Sequence, residues 1–302
     1  MTRKTQTYAE VGVSLAKAEA LVERLRAAVE STGATRFGGF AGLHPLGDGK
    51  LLAASTDSVG TKLVLARERG ALRACGADLA AHCMNDVATC GAEPLILLDY
   101  VAASEIDLEQ VAELVEGAAE VCREAGVALV GGETAELPGV YREGELDVVG
   151  TCVGVVASED VIDGSRIEEG DVVVGLPSAG VHANGFTLVR RILEEEDYAG
   201  EDLLASTRLY LEDVRRLRRT LDVRGLAHVT GGGILGNLSR ILPPGLRAEI
   251  DWDAWPRPPV FRWLARHVEE GELRRVFNLG IGYCAVVPDP GDELVIGRIV
   301  RA

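Results

Sequence analysis

The sequence predicts an α+β protein with two α/β domains, and three observations lead to this prediction. The chain has 302 residues, of which 47% are hydrophobic, and this is enough to build two cores. The order of strand, glycine-containing loop and helix occurs in the first half and returns in the second. A polar segment with two glycines, 158–170, separates the halves. We therefore predict domains at 1–165 and 166–302.

The first half begins with an amphipathic helix. Apolar residues recur at helical spacing over 15–29, and Gly33 follows as a stop signal. The segment 36–46 is rich in glycine and phenylalanine, which is typical of a loop packed against other backbone. A strand over 51–55 then leads into the loop 56–62.

A second helix is predicted over 76–90. Its polar residues recur at three- and four-residue steps and share one stripe: Asp78, His82, Asn85, Asp86 and Thr89. An apolar run at 95–103, a helix at 108–125 and a short buried strand at 127–130 follow. A long strand at 146–157 closes this half.

The second half repeats the pattern of the first. A strand at 171–176 is followed by a glycine-containing loop at 177–185 and a helix at 187–196. A second glycine-rich turn, 230–233, opens another helix. No short-period repeat is visible, which excludes solenoids and propellers.

The charge and cysteine patterns exclude several classes of protein. With 47 acidic and 31 basic residues the formal charge is −16, so we expect no nucleic-acid or membrane partner, and an anionic ligand needs a local site. The six cysteines have no C-x-x-C spacing, and no apolar run is long enough to span a bilayer. We expect a soluble cytoplasmic protein.

The loop after the first strand carries groups suited to a phosphate and its metal. Gly60 lets backbone amides approach a phosphate, Lys62 supplies a positive charge and Asp57 can hold Mg²⁺. The spacing is not that of a Walker A loop, and a solvated strand-to-helix turn is the alternative. Asn85 and Asp86 are poor helix formers in mid-helix, so they indicate either a metal or hydrogen-bond role or an exposed polar face.

Three further loops carry glycines and polar groups. In 131–136, Gly131 and Gly132 permit a turn with exposed amides, and Glu133 is a candidate base or metal ligand; a plain turn is the alternative. The loop 178–185 has the composition of a phosphate cradle at a helix N-terminus and contains His182. The turn 230–233 has a similar composition but three glycines can also serve close packing, and the role of neighbouring His228 is open.

Together, in this order, the motifs resemble those of the AIR synthetase family, the phosphoribosylformylglycinamidine cyclo-ligases. The resemblance covers nearly the whole chain. The matching segments are Tyr8 to Val13, Asp57 to Lys62, Met84 to Asp86, Gly131 to Glu136, His182 to Gly185, Leu226 to Gly233 and Phe277 to Gly282.

The chain departs from the family pattern at a few positions. Serine replaces the usual glycine at Ser55 and Ser58, tyrosine replaces the common methionine at Tyr283, and alanine replaces the usual serine at Ala179 and Ala183. After Pro290 the chain passes almost at once to 294–297, so the helix that similar proteins have between their last strands is expected to be missing.

The resemblance implies a fold and an activity. The N-terminal domain is expected to have a mostly antiparallel sheet that pairs in a homodimer to form a barrel-like core, and the C-terminal domain a mixed sheet flanked by helices. The implied reaction closes the imidazole ring of formylglycinamidine ribonucleotide with ATP and Mg²⁺, through an iminophosphate, and releases ADP and phosphate.

The resemblance and the residue types together give the candidate site. The catalytic candidates are Lys62, Asp86, Glu133 and His182, and the metal ligands are Asp57 and Asp86. The candidates for binding ATP are Asp57, Gly60, Thr61, Lys62, Asp78, Asn85, Gly131, Gly132 and Thr134. The candidates for binding the substrate are Ser178, Gly180, His182, Asn184, Gly185, His228, Thr230, Gly231 and Gly232.

Two alternative functions stay open at this point. One is another ATP-using enzyme of the same superfamily, of the thiamine-monophosphate kinase or formylglycinamidine ribonucleotide synthetase type. The segments 131–136 and 182–185 match the cyclo-ligase pattern better than the kinase pattern. The other is a non-catalytic nucleotide-binding or scaffold subunit, which is disfavoured by the retention of Asp57, Lys62, Asp86 and Glu133.

Overall fold

The structure, a computed structural model, describes residues 6–34 and 38–302. The predicted first helix is α1 Leu15–Glu30, and the Ser14 hydroxyl caps it by accepting a hydrogen bond from the Lys17 amide. Part of the predicted loop 36–46 is a strand instead, β1 Gly42–Gly47, because these residues pair antiparallel with the next strand. Residues 36 and 37 of that loop lie outside the described part of the chain.

The N-terminal sheet has five strands in the order β1-β2-β5-β3-β4. Three of its four pairings are antiparallel and only β3 with β4 is parallel, so the prediction of a mostly antiparallel sheet is confirmed. The remaining strands are β2 Lys50–Ser58, β3 Glu93–Ala103, β4 Ala128–Glu136 and β5 Leu146–Ala157.

Helices pack against one face of this sheet. They are α2 Lys62–Glu68, α3 Leu72–Ala88 and α4 Leu108–Ala125. Glycines let α3 and α4 approach closely, since a Cβ on Gly76 would lie 1.8 Å from the Leu114 carbonyl oxygen and one on Gly117 would lie 1.9 Å from that of Arg73. The predicted polar and apolar stripes of α3 are both buried, and the polar stripe faces β2 and the second half of the chain.

The segment predicted as a turn after residue 130 is a strand. Residues 128–136 form one continuous, mostly exposed strand, in which Gly132 pairs with Asp99 and Glu133 with Tyr100 of β3. A Cβ on Gly132 would lie 2.3 Å from the Asp99 carbonyl oxygen, so close backbone packing explains this glycine. The expected nest of amides at 131–136 is therefore wrong.

The second sheet has the strand order β7-β9-β6-β10-β8. All its pairings among the described residues are antiparallel, so the predicted mixed sheet is wrong in this detail: β10 inserts antiparallel between β6 and β8. The strands are β6 Val172–Pro177, β7 Gly225–His228, β8 Leu246–Ile250, β9 Ile281–Val287 and β10 Val295–Arg301.

Five helices accompany this sheet in the described chain. They are α5 Phe186–Leu193, α6 Leu211–Thr220, α7 Gly233–Leu238, α8 Pro259–Leu264 and α9 Glu270–Val276. The expected absence of a helix between the last two strands is confirmed, since residues 288–294 join β9 to β10 without one. Within the described ranges, no helix has the length and apolar character that crossing a bilayer requires.

Candidate active site

Two carboxylate–imidazole pairs lie between the two sheets. The first joins β2 to α3: Asp57 Oδ2 lies 3.3 Å from His82 Nδ1, and Asp57 Oδ1 accepts a hydrogen bond of 2.7 Å from the Ser58 amide. His82 is buried, while the Asp57 side chain keeps 35% exposure. The carboxylate is therefore the solvent-accessible member of this pair.

The second pair joins α3 to β7 of the other sheet. Asp86 Oδ1 lies 2.9 Å from His228 Nδ1, and Asp86 Oδ2 accepts a hydrogen bond of 3.1 Å from the Ser55 hydroxyl. The rings of His82 and His228 meet edge to face at 5.1 Å between centroids. The two pairs therefore form one cluster, which we call the carboxylate–imidazole centre: Asp57, His82, Asp86 and His228.

The two histidines have opposite electrostatic environments. Burial acts to lower the pKa of His82, but the hydrogen bond and charge of Asp57 outweigh burial, and this pKa is raised from its ordinary value. Burial lowers the pKa of His228, and Asp86 offsets this only in part. Burial acts to raise the pKa of Asp57, but His82 and the Ser58 amide together lower it. The centre therefore favours a charged Asp57–His82 pair and a neutral His228.

The distal nitrogens of both rings are unused. Among the described residues, His82 Nε2 and His228 Nε2 are buried and have no hydrogen-bond partner. Because a carboxylate can only accept, Nδ1 of each ring carries the donated proton, which leaves a lone pair on Nε2 of neutral His228. An unpaired buried nitrogen is costly, so a ligand is the natural partner for these positions.

The donor set fits a magnesium ion that is shared with phosphates. All four oxygens of Asp57 and Asp86 already accept a hydrogen bond, and the described ranges contain no cage of three or more metal-binding side chains. Mg²⁺ in phosphate-binding proteins uses one or two carboxylates and completes its shell with water and phosphate oxygens. Two hydrogen-bonded carboxylates are therefore compatible with Mg²⁺ bound together with a phosphorylated substrate.

A ligand-sized cavity lies beside this centre. It has a volume of about 810 Å³ and is lined by α1, by residues 38–42 and by the start of α7. A neighbouring cavity of about 530 Å³ shares part of this lining and reaches Thr89, one turn after Asp86. Arg240 lines both cavities, and its pKa, lowered by burial, also responds to the charges of Asp86 and Asp57. Arg240 therefore links the two cavities electrostatically to the centre, although none of the four centre residues lines either cavity.

Lys62 and Asp78 are placed differently from their predicted roles. Both side chains are 0% exposed, and Lys62 Nζ lies 2.6 Å from Asp78 Oδ2. The ammonium also donates to the Ala205 carbonyl, and Asp78 accepts from the amide and hydroxyl of Thr207. Because the ammonium is enclosed by these partners, the prediction that Lys62 and Asp78 contact ATP is corrected: they anchor the segment 205–207.

Asn85 anchors the same segment. Its side-chain amide donates to the Arg208 carbonyl at 2.9 Å, and its oxygen accepts from the Tyr210 amide at 2.8 Å. The side chain is fully buried, so the predicted contact with ATP is replaced by a hydrogen-bond role between the two sheets. This satisfies a polar residue in mid-helix.

The predicted phosphate cradle at 178–185 uses much of its backbone internally. The amides of Ser178, Ala179 and Val181 donate to the Gly280 carbonyl, His182 Nε2 and the Asp202 carbonyl. A Cβ on Gly180 would lie 2.0 Å from that Asp202 oxygen, and one on Gly185 would meet the Phe277 ring. These amides are therefore unavailable to a phosphate, which corrects this part of the prediction.

His182 is buried with a left-handed backbone, φ +64°. Burial first, and then the charges of His82, His228, Lys62 and Arg208, hold its pKa well below the ordinary value. Since His182 Nε2 accepts the Ala179 amide, a neutral His182 carries its proton on Nδ1, which has no partner among the described residues. Its neutral form is the stable one at neutral pH.

The glycine turn at the start of α7, residues 230–233, lies at the larger cavity. Gly231 and Gly232 line the larger cavity, and a Cβ on Gly231 would lie 3.5 Å from Asn184 Oδ1. The Thr230 hydroxyl and the Asn237 side chain hydrogen-bond across the turn. The structure thus brings Asn184, Gly231 and Gly232 together beside the cavity.

The residues of β4 are separate from this group. Gly131, Gly132, Glu133 and Thr134 are exposed on the strand at the sheet edge, and within the described ranges Glu133 forms no hydrogen bond or ion pair with the carboxylate–imidazole centre. Gly60 and Thr61 line a different cavity, between α2 and α5. Within one chain the structure therefore divides the predicted site into three places.

Sequence reasoning did not assign roles to several residues of the site. His82 was noted only for its stripe, although its position one turn before Asp86 was the available signal. Arg240 donates to the Gly39 carbonyl at 2.8 Å and covers the Phe40 ring, and no local motif marks it. Tyr283 stacks on His228 and donates to the Asn85 carbonyl, which gives the unusual tyrosine a place against the centre.

Fold and site together define a two-domain α/β protein with an acid–base centre held between its sheets. The chain belongs to the AIR synthase related family: the model described as "AIR synthase related protein, N-terminal domain" matches residues 18–156, and the one described as "AIR synthase related protein, C-terminal domain" matches residues 168–297.

Similar proteins agree with this membership. A phosphoribosylformylglycinamidine cyclo-ligase of Synechococcus sp. (strain CC9605) is 46% identical over 96% of this chain and 90% of its own length. One of Sorangium cellulosum (strain So ce56) is 46% identical over 98% and 92%. Among solved structures, AaThiL complexed with AMPPCP and TMP aligns with a TM-score of 0.69 at 15% identity, covering 99% of this chain and 94% of that one. The thiamine monophosphate kinase of Aquifex aeolicus aligns with a TM-score of 0.64 at 17% identity, covering 95% and 96%. The last two likenesses concern the fold alone.

Proposed function

We propose that this chain is a phosphoribosylformylglycinamidine cyclo-ligase of purine biosynthesis. It converts formylglycinamidine ribonucleotide and ATP to 5-aminoimidazole ribonucleotide, ADP and phosphate. Cyclo-ligases of two organisms match nearly the whole chain at 46% identity. The structural observation that carries the proposal is the carboxylate–imidazole centre, which joins two carboxylates to two oppositely tuned histidines; its charges reach Arg240, which lines a ligand-sized cavity.

The alternatives have weaker support. The kinase likeness rests on 15–17% identity, which concerns the fold and not the acceptor. A scaffold subunit has no need for two unpaired buried imidazole nitrogens beside a cavity. We therefore keep the cyclo-ligase as the function and the kinase as the second candidate.

The reaction needs charge neutralisation first and proton transfer second. ATP phosphorylates the formyl oxygen, and the substrate's amidine-derived nitrogen then attacks the resulting iminophosphate and releases phosphate. We assign Asp57 and Asp86 to Mg²⁺, which supplies charge neutralisation during phosphoryl transfer. The AMPPCP complex of a fold neighbour supports the use of ATP.

The two histidines suit the proton transfers. Neutral His228 has a free lone pair on Nε2, so it can accept the proton that the attacking nitrogen loses as the ring closes. The raised pKa of His82 suits it to carry a positive charge beside Asp57. Groups whose environments push their pKa values apart are the usual acid and base of such a centre.

The rest of the site is assigned by position. We place the nucleotide or the substrate base in the cavities beside Asn184, Gly231 and Gly232, under the segment that Arg240 holds. His182 lies deeper and is assigned to support the loop above it. The predicted roles of Gly180, Gly185 and Thr230 are those of shaping these loops.

We also propose a homodimer in the cytoplasm, with the chain divided at 165/166. Leu95, Leu98 and Val130 are exposed apolar residues on the neighbouring strands β3 and β4, and β4 is an uncovered sheet edge. A second subunit covering this region would also bury Glu133, whose catalytic role stays a prediction. All six cysteines are buried and none forms a disulfide, which suits a reducing compartment. Light scattering that finds only monomer at working concentration would contradict the dimer.

The function is tested by product formation. Purified protein is mixed with Mg-ATP and formylglycinamidine ribonucleotide, ADP release is followed in a coupled assay, and the imidazole product is identified by mass. Substrate-dependent ADP together with that product supports the cyclo-ligase. ADP release with thiamine monophosphate, and none with the ribonucleotide, identifies the kinase instead.

A further inference from the structure

A cavity separate from the carboxylate–imidazole centre lies between α2 and α5. Its volume is about 480 Å³, and its lining includes three arginines: Arg67 of α2, Arg142 of the β4–β5 connection and Arg190 of α5. The guanidinium of Arg67 faces the β4–β5 connection, since its Nη1 would lie 3.8 Å from a Cβ on Gly144. Arginines from three segments that are distant in sequence thus line the same cavity.

Two of these arginines have no protein partner. Within the described ranges, neither Arg67 nor Arg190 forms an ion pair or a side-chain hydrogen bond, although both are half-buried. Most arginines of this acidic chain are paired: next to Arg190, for example, Arg191 binds Glu194. When a half-buried arginine has no carboxylate partner, all the N–H donors of its guanidinium remain available to bind an anion.

The two acidic side chains of the lining have partners other than Arg67 and Arg190. The lining also contains Glu145 and Asp147. Glu145 lies against Arg142, with 3.9 Å between its Oε1 and the guanidinium, and Asp147 Oδ1 accepts from the Val148 amide. Three arginines against two carboxylates leave a net positive charge in the lining, and Arg67 and Arg190 are its two arginines without an ion pair among the described residues.

A hydroxyl pair adds neutral donors. Thr61 lines the cavity, and its Oγ1 lies 2.9 Å from Thr187 Oγ1 of α5. Whichever hydroxyl donates in this pair, the other keeps its hydrogen for a further acceptor. Tyr141 adds a phenol to the same lining. Guanidinium and hydroxyl donors together are the groups that bind a phosphate monoester.

The cavity is also within reach of the reacting centre. Thr61 is four residues from Asp57, so the chain between them spans at most about 14 Å. A phosphate held beside Thr61 is therefore near enough for the rest of one ribonucleotide to extend toward Asp57. The loop 178–185 was the other candidate for phosphate, but three of its amides already have protein partners.

We propose that the cavity between α2 and α5 binds the 5′-phosphate of the ribonucleotide substrate through Arg67 and Arg190, with Thr61 as a hydroxyl donor. This proposal rests on the cyclo-ligase function for the identity of the substrate. The phosphate lies outside the reacting part of the substrate. Loss of its contacts is therefore expected to raise KM and to leave kcat nearly unchanged.

The test uses the full chain and two ligands, ribose 5-phosphate and ribose. In isothermal titration, wild-type protein binds ribose 5-phosphate more tightly than ribose. Arg67→Gln combined with Arg190→Gln weakens ribose 5-phosphate binding by roughly ten- to hundredfold, since two charge-assisted contacts are lost. In the ADP-release assay the same protein shows a comparable rise in KM and a kcat within about twofold of wild type.

Two variants serve as controls. Arg191→Gln removes the same charge from the next position of α5, where the arginine is already paired, and keeps the wild-type KM. Arg190→Lys keeps the positive charge but loses the planar guanidinium with its paired N–H donors. Its KM is therefore expected to lie between those of wild type and Arg190→Gln. Thermal denaturation of each variant verifies that the fold is intact.

The outcomes separate this inference from the proposed function. Wild-type turnover with an unchanged KM in the doubly substituted protein overturns the phosphate site and leaves the cyclo-ligase standing. Equal binding of ribose and ribose 5-phosphate by wild type also overturns it. Absence of turnover in wild type, with ribose 5-phosphate binding that depends on both arginines, supports the phosphate site while the proposed function fails.

Discussion

Lys62 Nζ and Asp78 Oδ2 lie 2.6 Å apart in a place where neither side chain is exposed. Lysine and aspartate are rarely fully buried unless they are paired. Asp78 also holds Thr207, and Lys62 holds the Ala205 carbonyl, so the pair joins the helices of the first sheet to the segment that precedes α6. The contact therefore links the two halves of the chain.

Lys62→Met is expected to lower the free energy of unfolding by about 3–5 kcal/mol, because it leaves Asp78 charged and buried without a cation. Adding Asp78→Asn to this variant recovers part of the loss, since the uncompensated charge is removed. Urea denaturation followed by circular dichroism measures both. The control is Arg301→Met, which breaks the exposed pair with Glu169 and costs less than about 1 kcal/mol. Equal losses from the buried and the exposed pair would contradict this account.

Gly76→Ala is expected to destabilise the protein by several kcal/mol, on the order of 3 kcal/mol or more, because the new Cβ would sit 1.8 Å from the Leu114 carbonyl oxygen. The matched control is Gly271→Ala in α9, where nothing lies within 4 Å of the new Cβ. There alanine is a better helix former, and stability rises by about 0.5–1 kcal/mol. Thermal melts of the two variants shift in opposite directions, and a shared direction would show that helix propensity dominates at both sites.

Gly76 also illustrates which features of the fold the sequence predicts and which it does not. Hydrophobic periodicity predicts β5 and most of α3 correctly, since periodicity depends on the local pattern alone. It misplaced the start of α3, which begins at Leu72 and runs through Gly76, because this glycine serves contact with α4 and not a helix end. The turn predicted at Gly131 and Gly132 is wrong for a similar reason: Gly132 serves a close approach to the Asp99 backbone, and Gly131 has a positive φ within the strand, and neither leaves a local trace in the sequence.

The site was predicted to a similar extent. Asp57, Asp86 and His228 were named from motifs, and the structure places all three in one centre. The pairing of Asp86 with His228 spans 142 residues and depends on how the two sheets pack, which no spacing rule provides. Lys62 was assigned to phosphate because lysine beside glycine suggests this, and only the packing of 205–207 over it reveals the ion pair.

His182→Asn is expected to reduce the acid sensitivity of the fold. The pKa of His182 is held well below 6.5 in the folded protein, so the unfolded chain takes up a proton below pH 6.5 that the folded chain refuses. Acidification from pH 7 toward 5 therefore favours unfolding, by up to about 1.4 kcal/mol for each pH unit below 6.5. Asparagine tolerates the left-handed backbone at this position and does not titrate.

The measurement is urea denaturation of wild type and His182→Asn at pH 7.0, 6.0 and 5.0. Wild type loses more stability than the variant over this range, whatever the cost of the substitution at pH 7. His44→Asn makes the same substitution at an exposed position on β1 and serves as the control for the chemistry of the change. Parallel pH curves for wild type and His182→Asn would mean that His182 is not the group that resists protonation.

Asp86→Asn is expected to lower kcat by at least about a hundredfold, because it removes the charge that holds both the His228 ring and the proposed Mg²⁺. Asparagine keeps nearly the same shape and can still accept from the Ser55 hydroxyl, so the fold is retained. The coupled ADP assay at saturating substrate gives kcat, and a thermal melt verifies folding. Asp292→Asn, at an exposed position between β9 and β10, is the matched control and keeps wild-type kcat. If Asp86→Asn turned over at the wild-type rate, the reacting centre would have to lie elsewhere, since no other carboxylate in the described chain bonds to His228.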